Sequence, residues 1–158
     1  MQPEDLLTTT AQLGVAIVGF NGIATALSHS RGERRSEWRR ITGSILVTAA
    51  SSVIAWSVIP LVLLSTPLPA PWIWRISSLG WSVYQIAILS YREWQRRKLG
   101  LRRPTAAQIV RVPLLAAIGL QLWNGFGTAA AWPHLVGISS SLLVAMTSFF
   151  SLVHDEEP

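Results

Sequence analysis

Thr10, Gly14, Asn21, Thr25 and Ser28 follow one another at intervals of four, seven, four and three residues, so a helix carrying them places all five on one face. Small hydroxyl and amide side chains can replace the hydration of a passing solute without holding an ion tightly, which is the chemistry of a pore wall. The same groups also join helices inside a bilayer, through hydrogen bonds worth about 1 kcal/mol or less. Gly14, Gly19 and Gly22 add surface on which another helix can approach closely. Comparable stripes recur further on: Ser44, Thr48, Ser51 and Ser52; then Gln121, Asn124 and Thr128; then Ser141, Ser148 and Ser151. Arg75 is the cation set apart from the others. At the start of a helix its charge adds to the positive end of the helix dipole, an arrangement attractive to an anion. It can equally snorkel to headgroups or pair with Glu4 or Asp5.

The elements that must position these residues are read from charge. All of the 13 Lys and Arg except Arg75 fall in two clusters, Arg31 to Arg40 and Arg92 to Arg111. Between them lie apolar stretches long enough to cross a hydrocarbon core, which needs about 20 residues of helix. The pattern predicts an all-α integral membrane protein, a single bundle over residues 1–158 with spans near 6–28, 41–65, 72–91, 112–131 and 134–153. Pro60 predicts a kink in the second span. Thr105 to Gln108, directly after Pro104, has the spacing of a capping box, so the fourth helix can begin before its span. Basic loops stay cytoplasmic, which places the N-terminus out and the C-terminus in. Trp72, Trp74 and Trp132 then fall at the outer interface, and Trp38 and Trp94 at the inner one.

Absences narrow the chemistry. With 0 cysteines, thiolate catalysis, disulfides and cysteine-held zinc are excluded. No Asp or Glu lies within a span, so carboxylate proton relays lack their parts. Lys98 is in a loop, which removes a retinal Schiff base. His29, His134 and His154 do not suggest a haem or metal site, and no cofactor is expected. The basic pI of about 11.1 would suit nucleic acid, but cations placed beside apolar spans point to anionic lipid instead. Arg34, Arg35, Arg39, Arg40, Arg96, Arg97, Lys98, Arg102 and Arg103 are the candidate headgroup contacts. The acidic start, Met1 to Asp5, lacks the basic region of a signal peptide, so the first span reads as a retained anchor.

Gly19-Phe20-Asn21-Gly22-Ile23 in the first span, Trp74-Arg75 opening the third and Asn124-Gly125 ending the fourth form a set of short motifs. By these the chain resembles a class of small uncharacterised bacterial polytopic membrane proteins. The resemblance implies a bacterial inner-membrane location and no particular activity.

Two functions from different classes fit. One is a homo-oligomeric channel for small ions, weakly selective or anion-leaning, with the first span around the axis and Arg75 near its mouth. The other is a non-transporting scaffold or accessory subunit, docking a partner or anionic lipid on its basic loops. Neither is an enzyme.

Overall fold

The computed structural model describes the backbone of residues 2–30, 37–98 and 105–154, and the side chains of residues 2–23, 43–98 and 111–150. The described chain is all-helical: α1 (Pro3–Ser30), α2 (Glu37–Leu64), α3 (Ala70–Lys98), α4 (Thr105–Phe126) and α5 (Ala131–His154), with no strand among the described residues. Three of these helices contain stretches long and apolar enough to cross a membrane, Pro3–Ile23, Gly43–Leu64 and Ala131–Phe150. That marks a membrane protein.

Local chemistry sets the helix ends. Pro3 opens α1 where a missing N–H is harmless, and Glu4 and Asp5 oppose the dipole in its first turn. The Gln2 N–H donates to Asp5 Oδ2 at 3.2 Å, the side-chain half of a capping box, and the Asp5 N–H donates to the Gln2 carbonyl at 3.1 Å as a first-turn backbone bond. α2 runs through Pro60 and ends where Ser65 and Thr66 turn their hydroxyls back onto the carbonyls of Val62 and Leu63, at 2.7 and 2.6 Å. α3 follows Pro67 and Pro69 and holds Pro71 in its first turn. Its last turn is Arg96, Arg97 and Lys98, favourable at the negative end of the dipole. α4 does begin at Thr105 and runs through Pro113. It stops at Phe126 rather than Ala131, because the chain turns at Gly127 to Ala130, and Trp132 and Pro133 belong to the first turn of α5 rather than to a loop.

The chain divides into two compact units. The first comprises Met1–Val58 and Ser141–Pro158. Its core is apolar and small: Leu46, Ala49, Ala50 and Ala145, with Ile17, Val18, Val144 and Phe149 packed against them. Phe20 meets Phe149 edge to face, ring centroids 5.2 Å apart.

The second unit is Ile59–Ser140. Here α3 and α4 pair antiparallel, as three contacts along their length establish: Asn124 with Ser78, Gly125 with Leu79, and Arg111 with Glu93. Gly125 lets the backbones close up, since a Cβ there would fall inside the Leu79 side chain.

Candidate functional site

The stripe predicted on the first helix lies on two kinds of surface. Thr10 is half-buried and returns its hydroxyl to its own helix, onto the carbonyls of Leu6 and, at 3.1 Å, Leu7. Gly14 is buried against α2, where an added Cβ would sit 2.8 Å from Ile54 Cγ1 and 3.1 Å from the Ala50 carbonyl. Asn21 is half-buried and engaged. Thr25 and Ser28 continue α1, with side chains outside the described residues. The residues that do reach a helix contact thus lie on the packed side of α1.

The opposite side carries a second, unpredicted stripe. Glu4, Thr8, Gln12, Ala16, Gly19 and Ile23 are separated by three or four residues and are all exposed. The threonine satisfies itself, donating to the Glu4 carbonyl at 2.9 Å, and Thr9 does the same to Asp5 at 2.8 Å. Gln12 cannot. A primary amide has two donors and an acceptor oxygen that its own helix does not reach, and it has no hydrogen-bond partner among the described residues. It lies within the apolar Pro3–Ile23 stretch, roughly 9 Å along the helix from Leu6. Further along α1, Gly19 and Gly22 have nothing within 4 Å of where a Cβ would be.

In the second unit, polarity points inward. Ser77, Ser78, Trp81, Ser82 and Gln85 are buried along one face of α3, and Gln121, Asn124 and His134 are fully buried on α4 and α5. Asn124 organises this interior. Its Nδ2 donates to Ser78 Oγ at 2.8 Å and to the Ala130 carbonyl at 2.9 Å. Its Oδ1 accepts from Thr128 Oγ1 at 2.7 Å and from the Ala130 N–H at 2.8 Å, so all four hydrogen-bonding positions of the amide are filled. One turn earlier, Gln121 Nε2 donates to the Pro133 carbonyl, and Gly137 leaves room for it: a Cβ there would overlap the amide. His134 lies beside Trp74, ring centroids 6.2 Å apart. Ser77 Oγ, Trp81 Nε1 and Gln121 Oε1 are buried and have no hydrogen-bond partner among the described residues. Chemically this is a hydrogen-bonding interior of amides, hydroxyls and one imidazole, suited to fixing helices.

Arg75, the predicted anion contact, lies with its guanidinium carbon 5.5 Å from the centre of the Trp72 ring, and its Nε is buried. Of the predicted headgroup contacts, Arg34, Arg35, Arg102 and Arg103 lie outside the described residues, and Arg39 and Arg40 belong to α2 with side chains outside them. Arg96, Arg97 and Lys98 close α3 around a residue the sequence reading passed over, Glu93. Its carboxylate accepts from Arg96 Nη2 at 2.6 Å and Nε at 3.2 Å, and from Arg97 Nε at 3.0 Å. Arg111 of α4 reaches its other oxygen at 3.7 Å. The hydrogen bond to Glu93 holds the Arg96 guanidinium above its ordinary range. Partial burial draws that of Arg92 below it.

No protein-family model, curated protein or solved structure matches this chain. Its function is therefore read from its own residues.

Proposed function

We propose that this chain spans the membrane five times, N-terminus out and C-terminus in, and assembles from several copies into a pore around α1 that passes small ions with weak selectivity. A bacterial inner membrane is the setting its resemblance implies. The observation that carries the reading is Gln12. An exposed amide within an apolar span is costly against lipid and is satisfied by a second amide or by water. Copies of α1 meeting on the Thr8, Gln12, Ala16 and Gly19 face supply both. This moves the proposed lining from Thr10, Gly14 and Asn21 to the other side of the same helix.

Selectivity in this arrangement is set by two opposing groups. Glu4 and Asp5 stand at the exposed end of the α1 face and favour cations, whereas Arg75 favours anions. Reversal potentials of Arg75→Ala beside Glu4→Gln/Asp5→Asn show which of them faces the mouth.

The test is oligomeric state in mild detergent together with ion flux in proteoliposomes. Gln12→Leu and Gly19→Leu leave the protomer's contacts intact, so they should reduce both assembly and flux. Gly119→Leu on α4, which also has nothing within 4 Å, should change neither. A monomer without flux under voltage, low pH or osmotic stress overturns the pore.

The second reading, a membrane scaffold, is favoured by Asn124. With every hydrogen-bonding position filled from within its own unit, that residue has the character of packing rather than of a solute path. A stable monomer retained by a partner through its basic loops is the outcome that reading expects.

A further inference from the structure

We propose that the end of α3, with Arg111 of α4, forms a built site for a phospholipid whose headgroup carries two negative charges. The proposal rests on α3 crossing the bilayer, and not on the pore.

The guanidiniums of Arg96, Arg97 and Arg111 converge on the carboxylate of Glu93, so these four side chains together carry a formal charge of +2. The Glu93 side chain is only 17% exposed, so the anion that gathers the cluster is largely covered while its cations face outward. Arg97 shows the arrangement best. Its side chain is 75% exposed, yet its Nε is fixed at 3.0 Å from Glu93 Oε1. Both terminal nitrogens remain for an outside anion, and a guanidinium held in one orientation loses less freedom when it binds phosphate.

Two further features select a lipid as the source of that phosphate. Tyr91 and Trp94 are 57% and 58% exposed beside the cluster, with ring centroids 6.1 Å apart. Amphipathic rings of this kind sit at headgroup depth. Lys98 Nζ lies 5.4 Å from the centre of the Trp94 ring, which adds a further cation next to the aromatic pair. Charges, rings and the end of α3 therefore coincide at one level. The excess of two charges favours a phosphomonoester headgroup over a singly charged diester.

The discriminating variant is Glu93→Gln. It makes the surface more positive, so plain attraction to an anionic membrane must strengthen. A site whose arginines are held in place by Glu93 must instead weaken. Titration of the full-length protein in neutral detergent with dansyl-labelled phosphatidate should show Glu93→Gln and Arg97→Gln each binding about tenfold more weakly than wild type, a change of ~1.4 kcal/mol. Unlabelled phosphatidate should displace the probe. Charge-matched phosphatidylglycerol and inorganic phosphate should not. Tighter binding by Glu93→Gln, or equal displacement by phosphatidylglycerol, overturns the site. A spin label at Gln95→Cys in vesicles reads the underlying assumption separately: headgroup depth supports α3 as a span, and a label free in water removes it.

Discussion

The two units use the same helical material but bury polarity to different extents. In the first, alanine, leucine and valine make up most of the buried set, with Ser52, Ser57 and Ser141 among them, while α1 turns an amide and two glycines outward. In the second, serines, glutamines, an asparagine and a histidine are buried, while Val83, Val112, Trp123 and Phe126 are exposed. In a bilayer the sign of the solvent is reversed, and a hydrogen-bonded interior under an apolar coat is a stable arrangement. In the second unit Asn124 is fully satisfied from within, while Ser77 Oγ, Trp81 Nε1 and Gln121 Oε1 have no hydrogen-bond partner among the described residues. The first has one face whose chemistry is incomplete in a single copy.

Substitutions should separate the two units, and the largest effect belongs inside the second. Asn124→Leu removes four hydrogen bonds at once and should lower stability by about 2–3 kcal/mol, measured by unfolding in mixed micelles. Gly137→Ala places a methyl group against the pinned Gln121 amide and should cost about 2 kcal/mol in the same assay.

Gly14→Ala tests the packed side of the first unit. The gain in helix propensity, about 1 kcal/mol, is set against an Ala50 carbonyl that cannot move independently of its helix, and a net loss of about 1 kcal/mol is expected. Gly19→Ala, with nothing opposite it in the protomer, should instead gain stability while weakening self-association. If both glycine variants shift stability alike, the distinction between the two sides of α1 is lost.

The smallest effects are expected where hydroxyls serve only their own helix. Thr8→Ala should change stability by less than about 0.5 kcal/mol, measured beside Asn124→Leu. A large loss at Thr8 would mean that the outer face is already packed.

The five helices were legible because clustered arginines and prolines interrupt the uncharged stretches, and that signal needs no knowledge of packing. Helix faces were harder. α1 carries two polar stripes, one through Thr10, Gly14 and Asn21 and the other through Glu4, Thr8 and Gln12, and sequence spacing describes both equally well. Only burial decides which faces a neighbour. The polar face of α3 had a readable period in Ser78, Ser82 and Gln85, obscured by the aromatic residues interleaved with it. The end of α4 was hidden because Gly127 to Ala130 is as uncharged as the helices on either side, and the turn there is made by one asparagine side chain. Glu93 left a better clue: a lone acid amid arginines, close enough on a helix to meet Arg96 and Arg97.

That turn also bears on how the protein is made. Ala129 sits at a φ of 52°, the left-handed region, and its N–H reaches the Asn124 carbonyl at 3.0 Å while Asn124 clasps Ala130 from both sides. These bonds are all local, so the bend between α4 and α5 can close before Ser78 of α3 docks on it. Assembly order is thus written into a single amide, which completes a local turn first and a tertiary contact afterwards.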